Sequence, residues 1–222
     1  MTYNIIEMFL SIQGEGKHIG APSAFIRFAK CNLKCPHCDT KYSLTEDGKY
    51  TVDNAIEFIN KNSDYKQIVL TGGEPLLYQH DIAKILALCP DKKYTIETNG
   101  TIVPSSRLQK LMKEKGLWSI SPKLTYDTEI FLKIINNFVE TNNKQFKIVI
   151  VGKEDLNKLH NLYDQIKDPK NKRNIIIQPD GSRQDYDVAC RELAEYIITN
   201  KLSRIRVLPQ LHRLCWGQKR GI

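Results

Sequence analysis

Three cysteines, Cys31, Cys35 and Cys38, fall in the run Cys-Asn-Leu-Lys-Cys-Pro-His-Cys. Gaps of three and two residues gather three thiolates around one small volume and leave a four-position metal centre one ligand short. Structural zinc takes four protein ligands, whereas a reactive centre keeps a position open. Iron–sulfur clusters are held by cysteines at short spacings of this kind. The spacing alone also admits a zinc knuckle, but His37, pinned between Pro36 and Cys38, makes a poor fourth ligand. Cys89, Cys190 or Cys215 could join only through long-range folding. Disulfides are the third option. A chain of 222 residues builds a core without them, however, and its N-terminus resembles no secretory signal.

Other stretches carry chemistry of their own. In Thr71-Gly72-Gly73-Glu74-Pro75, adjacent glycines let backbone approach a ligand closely, with N–H groups exposed. In Ser11-Ile12-Gln13-Gly14-Glu15-Gly16, glycines flank a carboxylate. Glu15, acceptor-only when ionised, and Gln13, which both donates and accepts, suit the N–H edge of a purine- or pterin-like ring; a capped hairpin loop is the plainer option. Arg27, between Ile26 and Phe28, offers a planar fork to a substrate carboxylate, or else alternates outward to solvent. Asp39 and Thr40 follow the third cysteine, and the Thr40 hydroxyl could hold Mg²⁺, which prefers oxygen ligands, or simply cap a turn.

The elements that must position these residues are legible as an alternation. Short β-branched runs at 4–9, 24–28, 67–70, 94–97, 117–120, 146–151, 174–178 and 204–208 read as strands. Amphipathic runs at 52–62, 81–88, 104–115, 128–139, 153–166 and 184–200 read as helices. The implied fold is α/β, a parallel sheet closing wholly or partly into a barrel, in one domain spanning 1–222. The unusual residues follow strand ends, and that edge of a parallel sheet is where ligands bind.

Charge and composition narrow the class. The formal charge is +8, but the basic residues are spread through helical stretches such as 110–115 and 167–173 without interleaved aromatics. That pattern describes a solvated surface with some anion steering, not a nucleic-acid interface. No apolar run approaches the roughly 18 residues of a membrane span. Cytosol is the default compartment, and it suits reduced thiols.

Taken together, the stretches 11–16, 21–27, 31–40, 71–76, 97–100, 121–123, 178–179 and 208–212 resemble those of the 7-carboxy-7-deazaguanine synthases, radical S-adenosylmethionine (SAM) enzymes of deazapurine and queuosine biosynthesis. The cysteine loop carries the superfamily; Gln-Gly-Glu-Gly and Cys-Asp-Thr narrow it to the family. The resemblance implies an incomplete TIM-like β/α barrel and a 4Fe–4S cluster on Cys31, Cys35 and Cys38. It places SAM among His37, Cys38, Asp39, Gly73, Ser121, Pro122, Lys123, Gln178, Pro179, Asp180 and Gly181. It assigns substrate contacts to Ile12, Gln13, Gly14, Glu15, Arg27, Thr71, Glu97 and His212, and Mg²⁺ to Thr40. The implied substrate is 6-carboxy-5,6,7,8-tetrahydropterin, contracted to 7-carboxy-7-deazaguanine with loss of ammonia by chemistry that belongs to the cofactors, with no catalytic side chain assigned. Implied partners are a second copy in a homodimer and a flavodoxin-like or ferredoxin-like electron donor; nucleic acid and membrane are not among them. His37 stands where family members often carry an aromatic, and residues 213–222 form a longer tail than some members have. The alternatives are another radical SAM enzyme acting on a macromolecule and a non-catalytic zinc-binding interaction domain.

Overall fold

The computed structural model describes residues 2–125, 127–141 and 143–222. Eight strands lie side by side in chain order: β1 (Ile5–Ile12), β2 (Pro22–Phe28), β3 (Gln67–Gly72), β4 (Lys93–Thr98), β5 (Gly116–Ile120), β6 (Lys144–Ile150), β7 (Ile175–Pro179) and β8 (Arg206–Val207). Between and after them run α1 (Tyr42–Thr45), α2 (Val52–Lys61), α3 (Gln79–Leu88), α4 (Ser106–Lys115), α5 (Thr128–Asn137), α6 (Lys153–Tyr163), α7 (Pro169–Arg173), α8 (Tyr186–Thr199) and α9 (Leu211–Trp216). From β2 to β8 every neighbouring pair is parallel, as the alternation requires.

The first strand departs from the all-parallel expectation. β1 runs antiparallel to β2, and the loop between them is closed by Gln13 N–H to Ala21 O and Gly20 N–H to Gln13 O, each 2.8 Å. A loop this short has no room for the crossover a parallel neighbour needs. Pairing with β2 carries β1 past Phe9 to Ile12, so Ser11 and Ile12 are strand residues. Thr71 and Gly72 likewise belong to β3, whereas β8 is shorter than the 204–208 expected. No helix among the described residues is long and apolar enough to cross a membrane.

Period-two alternation divides the sheet into two chemistries. One face presents Ile26, Phe28, Ile68, Leu70, Ile96, Trp118, Phe146, Ile148 and Ile177 to the helices, forming the apolar core. Each such side chain contributes about 1.5–3 kcal/mol by leaving water. The helices meet it with their own buried stripes, such as Val52, Ala55 and Ile59 of α2, whose start is fixed by a reciprocal Thr51–Asn54 capping box. The other face is polar yet buried: Ser23, Gln67, Thr71, Thr95, Ser119, Gln145, Lys147 and Gln178. These groups satisfy one another, as in Gln67 Nε2 to Thr95 Oγ1 at 2.7 Å and Gln145 Nε2 to Ser119 Oγ at 2.9 Å. The sheet therefore curls around a polar lumen as a partial barrel. Its order leaves β1 and β8 unpaired with each other. That gap is bridged by Leu211 N–H to Gly14 O at 2.8 Å, tying the start of α9 to the β1–β2 loop.

Candidate active site

The loop after β2 carries Cys31, Cys35 and Cys38 as free, half-buried thiols. Its start is held by Gly73 N–H to Phe28 O at 3.2 Å and Glu74 N–H to Lys30 O at 2.9 Å. A Cβ at Gly73 would stand 2.1 Å from Lys30 O and 2.9 Å from Cys31 Cβ. The close approach that the glycine pair permits is therefore, first of all, to the cysteine loop itself. Glu74 is buried and joins the ends of β3 and β4, accepting from Leu76 N–H (3.0 Å), Thr98 Oγ1 (2.7 Å) and Asn99 N–H (2.7 Å). Burial pushes its carboxyl pKa up, against the pull of those donors.

The thiols fit an iron–sulfur cluster. Burial raises the pKa of Cys31 and Cys38, Cys35 adds to the rise at both, and Cys38 adds to it at Cys31, so three thiolates together call for a cationic centre. Leu33 N–H donates to the Cys31 sulfur at 3.4 Å and Thr40 N–H to that of Cys38, the outer hydrogen bonds that tune cluster sulfurs. Asn99 Nδ2, 3.9 Å from Cys31 Sγ, also holds Asn32 Oδ1 at 3.0 Å. Among the described residues, no three His, Cys, Asp or Glu side chains close on a point as the ligands of a single ion do.

Several residues expected around SAM face one another across this loop. His37 Nδ1 lies 3.3 Å from Asp180 Oδ2, bringing the cysteine loop to the loop after β7. Lys123 Nζ donates to Ser121 Oγ at 3.0 Å, and its charge reaches both Cys38 and Glu74. Pro122, between Ser121 and Lys123 in the chain, is buried. Gln178 and Pro179 end β7 fully buried, and the Gln178 Oε1 atom has no hydrogen-bond partner among the described residues. Gly181 packs against the Gln210 side chain. Beside the third cysteine, Thr40 Oγ1 donates to Asp39 Oδ1 at 2.7 Å, placing a hydroxyl and a carboxylate side by side, oxygens of the kind a hard cation prefers.

Most of the expected substrate residues meet in one lumen network. Glu97, at the end of β4, accepts from Gln13 Nε2 (3.1 Å), Thr71 Oγ1 (3.2 Å) and Lys147 Nζ (3.1 Å). Lys147 also pairs with Glu15, whose other oxygen accepts from Gln210 Nε2 at 2.6 Å. The His212 ring lies on Gly14 so closely that a Cβ there would stand 1.9 Å from Nδ1. Burial alone would discharge Lys147 and protonate Glu15. The carboxylates instead raise the Lys147 pKa, while Lys147, His212 and the Gln210 amide hold Glu15 well below the usual carboxylate range. Ile12 leads into this loop from β1.

Arg27 faces the same side of the sheet, beside Thr71 in the β2–β3 register. It does not turn to solvent. Its Nε donates to Glu7 Oε1 at 2.5 Å, and its guanidinium lies 5.7 Å from the Phe9 ring and 5.8 Å from that of Tyr42. With the Nε edge taken, among the described residues the two Nη groups remain for an incoming carboxylate. The sequence signals did not single out Lys147 or Glu7, and they flagged the stretches holding Asn99 and Gln210 without giving either residue a role. For Lys147 the signal was a lysine between Phe146 and Ile148 on a strand.

Residues 25–163 match the family model of the radical SAM superfamily. A 7-carboxy-7-deazaguanine synthase from Clostridium acetobutylicum is 33% identical over 234 residues covering 100% of both chains. Another, from Pyrobaculum aerophilum, is 28% identical across 98% of this chain and 96% of its own. The crystal structure of QueE from Escherichia coli superposes with a TM-score of 0.68 at 24% identity, over 95% of this chain and 94% of that one, and so shares the fold.

Proposed function

We infer the chemistry of this chain from its family: it belongs to the radical SAM superfamily and, within it, to the 7-carboxy-7-deazaguanine synthases. The substrate is 6-carboxy-5,6,7,8-tetrahydropterin, and the product is 7-carboxy-7-deazaguanine, formed with loss of ammonia. The observation that carries this reading is the combination of three half-buried thiols in the loop after β2 with the Gln13–Glu97–Lys147–Glu15 network in the lumen that the same sheet encloses.

Cys31, Cys35 and Cys38 would hold a 4Fe–4S cluster, with SAM at the open position. Together these cofactors supply a 5′-deoxyadenosyl radical, the hard part of the chemistry. The protein binds, orients and excludes water. His37, Asp39, Gly73, Ser121, Lys123, Gln178 and Asp180 ring the place where SAM would lie. Glu15 would accept from the pyrimidine edge of the pterin and Gln13 would both accept from it and donate to it, Glu97 and Thr71 would fix its depth, and Arg27 would take its carboxylate through the Nη groups. Asp39 and Thr40 would contribute oxygens to a Mg²⁺ ion shared with that carboxylate. The whole chain acts as one core domain, in the cytoplasm, as a homodimer, and draws electrons from a flavodoxin-like or ferredoxin-like donor.

The test is anaerobic incubation of the reconstituted protein with SAM, a reductant, Mg²⁺ and the carboxy-tetrahydropterin. The expected outcome is a new species with the mass of 7-carboxy-7-deazaguanine and one ammonia per turnover. SAM cleavage that the pterin neither stimulates nor couples to this product overturns the reading.

A further inference from the structure

We propose that Lys147 is a positioning residue that keeps Glu15 and Glu97 charged together, and thereby sets the preference of the lumen for a ring edge with adjacent N–H donors. The proposal rests on the pterin reading for the identity of that ring. Its physical basis is independent of it.

Lys147 sits on β6 with its side chain only 5% exposed, and its ammonium bridges the two carboxylates, Glu15 from the β1–β2 loop and Glu97 from β4. Two carboxylates drawn together in a largely buried place resist ionising together without a compensating cation, because burial and like charge each favour the neutral form. The groups that face this trio are Gln13 from the β1–β2 loop, Thr71 from β3, Gln210 and His212 from the last segment, and Tyr186 from α8, whose hydroxyl accepts Gln210 N–H at 2.6 Å. Among these, only His212 can add positive charge, and only when protonated. Among the described residues, Lys147 alone is a permanent cation there, held charged by both partners despite its burial. Two carboxylates against one ammonium leave one negative charge in excess whenever His212 is neutral. An excess acceptor in this lumen is complemented by a ligand edge presenting several N–H donors, as a 2-amino-4-oxopyrimidine does, and disfavours one presenting carbonyl oxygens.

Without Lys147, one carboxylate would take up a proton near neutrality, and a protonated carboxyl donates where the ring also donates. The test measures the dissociation constant of the carboxy-tetrahydropterin on anaerobic, cluster- and SAM-loaded protein across pH. The quantity read is the dissociation constant of each variant divided by that of wild type. For Lys147→Gln, that ratio is expected to fall by about tenfold or more between roughly pH 6 and 8.5, since each pH unit below a raised pKa costs about tenfold in the ionised form. Lys147→Arg, which keeps the charge, should give a flat ratio. A pH-independent ratio for Lys147→Gln overturns the proposal and leaves Lys147 a packing residue. The double variant Lys147→Gln/Glu15→Gln removes the charges in pairs and covers the case in which the single variant fails to fold. It should bind weakly at every pH, and full affinity in it overturns the proposal. An infrared carboxyl band gained by Lys147→Gln over wild type near neutral pH reads the same proton without any substrate. Its presence in a protein that ignores the pterin would support Lys147 while discarding the pterin reading.

Discussion

Arg27 and Arg220 grip the same carboxylate: Glu7 accepts from Arg27 Nε on one oxygen at 2.5 Å and from Arg220 Nε on the other at 2.9 Å. Tyr42 completes the group, donating its hydroxyl to Glu7 at 2.7 Å and lying 3.7 Å beneath the Arg220 guanidinium. Arg220 reaches on to Glu46 at 2.6 and 2.9 Å. Residue 220 is thus tied to the segment that follows the cysteine loop, and through Glu7 to Arg27.

Arg27→Ala should cost about 1.5–3 kcal/mol of substrate binding, the worth of a charge-assisted hydrogen bond. Arg27→Lys should fall between it and wild type, because a point charge does not reproduce the planar fork. Substrate titration of both variants checks this, with an unchanged far-ultraviolet spectrum as the control for folding. Equal affinity in all three proteins would reduce Arg27 to a partner of Glu7.

Arg220→Ala should act more weakly. Its pairs lie near the surface, and such contacts give roughly fivefold or less in an equilibrium constant. The expected effect is a higher KM with kcat and iron content unchanged, shrinking as salt screens the wild-type contacts. An effect on kcat of the same size would mean that the tail does more than orient Glu7.

The sheet was legible in the sequence because its outward face repeats apolar residues every second position, as in Ile26, Phe28, Ile68 and Leu70. The site was only partly legible, for a geometric reason. On an open sheet the inward partners of those residues, Lys147 and Gln178 among them, would face water, so a strand lysine reads as solubilising. Only when β2 to β8 curl does that face become a buried lumen in which Lys147 needs Glu15, 132 residues away. The pairing of Arg27 with Glu7 was hidden for a related reason. It exists only in the antiparallel Glu7–Arg27 register of β1 and β2, which the helix–strand alternation does not announce.

Each of Cys31→Ala, Cys35→Ala and Cys38→Ala should abolish iron binding and SAM cleavage together. Cys215 is exposed, and Cys215→Ser should change neither. Cys89 lies buried in the apolar core, so Cys89→Ser should keep its iron but lower the melting temperature, by burying a hydroxyl at a cost of about 1–3 kcal/mol. Iron content and melting curves on the five proteins separate these roles. A Cys31→Ala protein that cleaves SAM at full rate would remove the cluster from this loop.

Thr40→Ala should retain iron and SAM but need more Mg²⁺ for turnover, since Mg²⁺ draws few ligands from protein and retains water. Thr40→Ser keeps the oxygen and should lie near wild type. Because Thr40 already donates to Asp39 at 2.7 Å, Asp39→Asn should shift the same curve. Turnover against Mg²⁺ concentration decides the matter, and superimposable curves would return both residues to a turn.

Gln178 offers a test in which stability and binding move in opposite directions. Its side chain is buried on the lumen face of β7, and its Oε1 atom has no hydrogen-bond partner among the described residues. A buried acceptor left unmade costs about 1–3 kcal/mol. A donor from SAM would recover that cost on binding. Gln178→Met nearly preserves the volume and removes the acceptor, so ligand-free Gln178→Met should melt higher than wild type. Its affinity for SAM should fall, by about tenfold for each 1.4 kcal/mol lost. Melting curves with and without SAM measure both effects on one sample. A variant that is destabilised and still binds SAM normally would show that Gln178 serves the fold and that its oxygen is satisfied within the protein.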